Sequence, residues 1–186
     1  MKKTLLVLGT AFLLGGCIKL ISDYDEVIDR GVTDFAEQFT AHVKNMGDLG
    51  GKAEGTHDAN IKVYNGLDAK LDVLISRAAS ASEGKGCKLE KKLYDRIEKL
   101  LKTETPAELK AAPTASEGDP QGCNARLLVL VKRQLAIVRE IHRDADKCGP
   151  RQDISCLRPA TAKSALEIAH QSINAVAIVE NAKKTQ

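Results

Sequence analysis

Apolar residues recur along most of this chain at steps of three and four, a spacing that suits helices packed on one another and little else. Ile21, Tyr24, Ile28, Val32, Phe35, Phe39, Val43 and Met46 fall on one face of a long first helix. Ser22, with Asp25 three residues on, forms a capping box at its start. Gly47, Gly50, Gly51 and Gly55 mark a flexible connection, and Ile61, Tyr64, Leu67, Leu71, Leu74 and Ala78 trace a second helix. Leu89, Leu93, Ile97 and Leu100 or Leu101 make a shorter third. A fourth runs from about Asn124 to Asp146 with Leu128, Val131, Leu135, Val138 and His142 on its face, until Pro150 ends it. Pro159 opens the fifth, on which Ala162, Leu166, Ala169, Ile173, Val176 and Glu180 align. Between the third and fourth, Pro106, Pro113 and Pro120 with Gly118 and Gly122 break any regular element. No β-branched run alternates with period two. The predicted fold is therefore all-α, an elongated bundle of about five helices with a long Pro-rich crossover between helices three and four.

The first residues have a different logic. Lys2 and Lys3 precede an apolar run from Leu5 to Leu14, which is shorter than the ~20 residues a membrane-spanning helix needs. It has the length of a secretory h-region. Leu14-Gly15-Gly16-Cys17 resembles the lipobox of bacterial lipoproteins, in which the cysteine thiol receives diacylglycerol before cleavage and acyl chains such as palmitate hold the mature end in the membrane. The resemblance implies a signal peptide at residues 1–16, lipid attachment at Cys17 and a single helical domain over residues 17–186.

An exported chain meets an oxidising compartment, and four cysteines remain: Cys87, Cys123, Cys148 and Cys156. No tight C-x-x-C pair offers a zinc site. Cys123 and Cys148 flank the fourth helix and stand about 37 Å apart at 1.5 Å per residue, whereas a disulfide spans roughly 7 Å at most between Cα atoms. Cys156 shares the far end with Cys148. The pairing that satisfies all four thiols is Cys87–Cys123 with Cys148–Cys156, and it makes helices three and four roughly parallel.

Charge excludes some functions. Without residues 1–16 the chain keeps 26 basic and 25 acidic side chains, a formal +1, and it has no Trp. Nucleic-acid binders carry a basic footprint and aromatic stacking platforms, so nucleic acid is not an expected partner. His42 and Met46 are four apart, as are His142 and Asp146, the latter read as a surface ion pair. His142 and His170 are offset by about 12 Å along the last hairpin. No catalytic triad motif, zinc-protease motif or phosphate loop occurs. The expectation is no enzyme, no metal and no cofactor. Lys85, Lys88, Lys92, Arg96, Lys99 and Lys102 form a basic stripe on helix three. It reads either as a contact for anionic lipid or an acidic partner, or as a solvated face partly neutralised by Glu90, Asp95 and Glu98.

Tyr24-Asp25 with Asp29, then Tyr64, Leu67, Leu71, Leu74 and Arg77-Ala78, then His142, and finally Ile173-Asn174 with Glu180 and Lys183 resemble a group of small helical lipoproteins of proteobacteria. The resemblance implies the fold and the address and supplies no catalytic residue. Ile18 follows Cys17 where an Asp would resemble the inner-membrane retention signal, so the expected location is the outer membrane, facing the periplasm. Two functions fit: an envelope interaction or accessory factor that binds another envelope protein, or a small-ligand carrier with an apolar pocket inside the bundle.

Overall fold

A computed structural model of the chain describes residues 22–82, 87–104, 122, 124–144, 147–148 and 151–185. Five α-helices dominate: α1 (Glu26–Asp48), α2 (His57–Ser82), α3 (Lys88–Glu104), α4 (Ala125–Asp144) and α5 (Pro159–Lys184). A 3-10 turn at Ala53–Gly55 joins α1 to α2, and an antiparallel hairpin of β1 (Lys147–Cys148) and β2 (Arg151–Ser155) separates α4 from α5. The fold is all-α, with the hairpin serving as a connector. Residues 105–121 of the Pro-rich crossover, and residues 1–21 with Cys17, lie outside the described residues.

The apolar faces read from the sequence are the faces that pack. Ile28, Val32, Phe35, Phe39, Val43 and Met46 of α1 are buried, as are Tyr64, Leu67, Leu71, Leu74 and Ala78 of α2 and the whole face of α4 from Leu128 to His142. α1 packs on α2, α2 on α4, α4 on α5 and α5 on α1, which closes a four-helix ring. α3 lies outside that ring against α5 and α4. α5 touches three other helices, and it does so with small residues: Ala162, Ala165, Ala169, Ser172 and Ala175 are all buried. Small side chains allow close axial approach on several sides at once.

The polar contacts fix the directions. Asp25 meets Arg77 and Glu180, so α1 begins where α2 and α5 end. At the start of α3, Glu90 Oε1 accepts the Arg126 N–H from the start of α4 at 3.1 Å. α3 and α4 therefore begin at the same end, as the cysteine argument required. Cys87 is buried at that end. Its expected partner Cys123 lies outside the described residues, and so does the side chain of Cys148. Cys156 is buried and disulfide-bonded at the opposite end, where β2 leads into α5.

Three details differ from the sequence reading. The N-cap of α1 is Asp25 rather than Ser22: its carboxylate accepts the Val27 and Ile28 N–H groups at 2.9 and 3.3 Å. The Asp25 N–H is already held by Glu180 Oε2 at 3.0 Å, which leaves Ser22 nothing to cap. On α3 the inward face is rotated, with Glu90, Tyr94 and Ile97 buried while Leu89 and Leu93 are only half-buried. Glu90 therefore neutralises no surface stripe, because the first turn of α4 draws it inward as an acceptor. Gly122 is more than a loop breaker. Its φ is +138°, and a Cβ there would collide with Ser82 Oγ.

Glu180 has no exposure and accepts from Asp25 N, from Asn124 Nδ2 and from Lys183 Nζ, the last at 2.6 Å with the lysine side chain 2 % exposed. Glu180→Ala leaves that ammonium buried without its carboxylate, a change that costs about 3–5 kcal/mol. The expected melting temperature falls on the order of 10 °C. Glu180→Leu combined with Lys183→Met should recover most of it, and equal losses in the single and double variants would contradict the account. Non-reducing peptide mapping checks the hairpin end independently. A Cys148–Cys156 peptide is expected, and a Cys123–Cys156 peptide would contradict the placement of α4 between the two ends.

Candidate functional site

The sequence spread its four histidines over four helices, and the fold gathers three of them. His42 from the last turns of α1, His57 at the start of α2 and His142 near the end of α4 surround Tyr64, and all four residues are buried. The Tyr64 ring meets the His42 ring edge-on at 4.7 Å and lies roughly parallel to the His57 ring at 5.8 Å. Arg139 stands 5.9 Å from the centre of the same ring. His142, expected on the surface, has zero exposure, and Asp146 lies outside the described residues.

Hydrogen bonds settle the tautomer of His142. Its Nε2 lies 2.9 Å from the Gly55 carbonyl oxygen, which can only accept, so Nε2 carries the proton. Nδ1 then accepts from the Tyr64 hydroxyl at 2.9 Å. The chain of donors runs one way, from Tyr64 through His142 to the 3-10 turn. Gly55 is placed there by contact rather than flexibility, since a Cβ would strike the Leu49 carbonyl. Asn60 closes the same corner by donating to Glu54 O and Thr56 O, both at 2.8 Å.

Chemically, this cluster is a tie. Burial pushes the Tyr64 hydroxyl well above its ordinary range, so its proton stays in place. Burial and the neighbouring His142 depress the His42 imidazole to about 4, which keeps it neutral near pH 7. His42 Nε2 and His57 Nε2 have no hydrogen-bond partner among the described residues. No three or more His, Cys, Asp or Glu side chains among the described residues are arranged to hold a metal ion.

The second buried cluster sits at the other end, around Glu180, Lys183, Asn124 and Glu90. Glu90 is 2 % exposed and accepts a hydrogen bond from the start of α4. Desolvation raises its carboxyl to about 7, against the opposing pull of the Arg126 N–H and the Lys183 charge. Arg126 meanwhile lies 4.2 Å over the Tyr94 ring.

Outward-facing features are shallower. A groove of about 520 Å³ runs between α1 and α5, lined by Ala36, Glu37, Ala41 and Ile173, with the Thr40–His170 hydrogen bond of 2.8 Å across it. A second groove of about 320 Å³ continues it past Lys44 to Gly47, Pro159 and Leu166. His142 and His170 take separate partners, Tyr64 and Thr40. Of the basic stripe, Lys92, Arg96 and Lys99 are exposed on α3. Lys85 lies outside the described residues, as do the side chains of Lys88 and Lys102. The histidine cluster escaped sequence reasoning because its members are up to 100 positions apart, between His42 and His142. The one available signal was His142 standing in line with the apolar residues of α4.

No helix among the described residues is long and apolar enough to cross a membrane. No family model, curated protein or solved structure matches the chain.

The two ends titrate in opposition. His42 is neutral in folded and unfolded chains above its ordinary value of 6.5; between 6.5 and about 4 the unfolded chain takes up a proton that the folded chain refuses. Stability therefore falls on acidification through that window, by roughly 3 kcal/mol in all. Glu90 behaves oppositely: between 4.5 and about 7 the unfolded chain loses a proton that the folded chain keeps, so stability falls as pH rises. Glu90→Gln retains an acceptor for Arg126 and cannot ionise. Urea unfolding should find this variant more stable than wild type at pH 7, with the gap closing by pH 4.5. A gap that does not change with pH would remove Glu90 from this role.

Proposed function

We propose that the chain is a lipid-anchored interaction module of the bacterial cell envelope, held through Cys17 at the outer membrane and facing the periplasm. In this reading it works by binding another envelope protein and performs no chemistry of its own. The observation that carries it is the filled interior. A carrier needs a hollow between α1, α2, α4 and α5, and there Tyr64, Phe35, Phe39, Leu71, Leu128 and His142 stand, each less than 2 % exposed. The buried polar groups tie helices together and present no open face to a substrate.

What remains accessible is the outside of α5 and its neighbours. The groove between α1 and α5 offers small apolar residues with Glu37 and Lys44 at its edges, a surface on which a helix or extended segment can lie. Anchoring supports the same reading: seven peptide links separate Cys17 from Tyr24, which Asp29 holds on the fold, a reach of at most roughly 23–25 Å. The bundle would then stand close to the membrane with its outer grooves available to neighbours.

Cys17→Ser tests the anchor. The variant should leave the membrane fraction or accumulate as unprocessed precursor, and mass spectrometry of wild type should find acyl groups on the mature N-terminus. An unmodified Cys17 there would end the reading. A photo-crosslinking residue at Glu37 should give one discrete adduct in intact cells, whereas the same residue at Val73 on α2 should give none. Uptake of an apolar fluorophore with saturation at one site per chain would favour the carrier instead.

A further inference from the structure

We propose that α3 is a detachable cover on α4 and α5, seated while the carboxyl of Glu90 holds its proton and lifted from an otherwise intact bundle when that proton leaves. The proposal is independent of the anchor and concerns a movement of the fold itself.

The seat of α3 is thinly apolar. The helix lies outside the four-helix ring, on α5 and α4. Among its described residues the buried apolar side chains are Tyr94 and Ile97, with Leu89 and Leu93 half-buried. α1, by contrast, buries Ile28, Val32, Phe35, Phe39, Val43 and Met46. The seam with α5 is also incompletely closed: a groove of about 320 Å³ runs between Leu93 and Ile97 on one side and Asn174, Ala175 and Ile178 on the other. Where the seat does close, it is polar. The Tyr94 hydroxyl and Arg126 Nε are buried with no hydrogen-bond partner among the described residues. The guanidinium lies 4.2 Å over the Tyr94 ring, a contact that satisfies neither atom. Buried polar groups left unpaired weigh against the seated state, because water reaches them once α3 lifts.

Glu90 makes this balance depend on protons. It is 2 % exposed and accepts the Arg126 N–H from the first turn of α4. The charged or titratable groups that act on it are Cys87 at the foot of its own helix, Arg126 from α4 and Lys183 from α5. Both cations are engaged elsewhere: the Arg126 guanidinium with the Tyr94 ring, and Lys183 Nζ with Glu180 at 2.6 Å. A carboxylate at Glu90 is therefore poorly compensated, and burial holds its pKa up at about 7. With α3 lifted the group meets water and returns to its ordinary 4.5. Between those values the lifted state gives up a proton that the seated state keeps, so each pH unit favours lifting by up to about tenfold. The ring keeps its own tie throughout, since Glu180 accepts from Asp25, Asn124 and Lys183, none of which belongs to α3. Lifting opens the groove and brings Tyr94 and Ile97 into water.

Hydrogen exchange of the full chain at pH 5 and pH 8, each rate divided by its intrinsic value, tests the movement. Protection of the amides from Leu93 to Lys99 should fall on the order of 50-fold between the two. Low urea should change it little, because lifting one helix exposes little surface, whereas protection in α1 and α2 should be higher and fall steeply with urea. Glu90→Gln should keep α3 equally protected at both pH values. Tyr94→Phe removes the unpaired hydroxyl and leaves Glu90 in place. It should raise α3 protection about tenfold at both pH values and preserve the dependence on pH. α3 amides that share the protection and urea dependence of α1 and α2 overturn the proposal, because they open only with the whole bundle. Wild-type α3 protection indifferent to pH overturns it as well, as does a pH dependence that survives Glu90→Gln or vanishes in Tyr94→Phe.

Discussion

The carboxylate of Glu180 is where the bundle is knotted. It is fully buried, and its two oxygens accept from the backbone at the start of α1, from the residue that opens α4 and from a lysine one turn further along α5. Two of the donors come from the starts of α1 and α4, so the carboxylate joins three helices at one point. Asn124 adopts a left-handed backbone at φ 78°, a conformation that asparagine tolerates better than other non-glycine residues, and its carbonyl accepts the Leu128 N–H that begins α4. A buried ion pair is a poor source of net stability against an apolar alternative. Its effect here is selectivity, because sliding α5 by a single turn would strand the Asn124 amide and the Asp25 N–H, while the buried Glu180–Lys183 pair moved away as a unit. Apolar packing between Ala-rich surfaces discriminates poorly among such registers, and the knot supplies what the alanines of α5 lack.

The opposite end is fixed by neutral groups. Tyr64, His142 and the Gly55 carbonyl form a single line of hydrogen bonds, and His42 and His57 pack around it without charge. Between the two polar ends the core is mostly apolar, interrupted by buried Gln134 and Ser172, with Phe35 stacked on Phe39 and Leu67, Leu71 and Leu74 in one cluster with Leu128, Val131 and Leu135. The molecule is bolted at both ends and greased in the middle. Both bolts join α2 or α5 to α4, the helix that a long connection separates from its predecessor in sequence. That is where loop entropy works hardest against correct docking.

Periodicity made the helices and their inward faces legible, since burial of an apolar stripe is a local property repeated every three or four residues. Val32, Leu71, Leu135 and Val176 were all readable for this reason. The parallel start of α3 and α4, expected from a Cys87–Cys123 bond, is shown by the contact of Glu90 with the Arg126 N–H. Capping and polar burial were less legible. Asp25 and Ser22 look equivalent in sequence, and only Glu180, 155 positions away, decides between them. Glu90 looked like one more surface acid beside a row of lysines, and its inward turn depends on an N–H that α4 brings. Tyr24, Asp25, Asp29, Tyr64, Arg77, His142, Glu180 and Lys183, quoted above for their resemblance to other sequences, turn out to share contacts. Tyr24 donates to Asp29 and Arg77 to Asp25, while Tyr64 bonds His142 and Lys183 bonds Glu180.

The grip on Asp25 has a mechanical side. Any tension in the chain ahead of α1 reaches the fold at this residue, whose carboxylate is bonded to Arg77 of α2 and whose N–H is bonded to Glu180 of α5. Two residues on either side of that bond, Tyr24 and Lys184 converge on Asp29, the hydroxyl at 2.8 Å and the ammonium at 3.0 Å. A pull is therefore shared among three helices before the first turn of α1 can unwind. The load passes to two antiparallel neighbours, so the first turn of α1 is held by contacts on α2 and α5 as well as by its own hydrogen bonds.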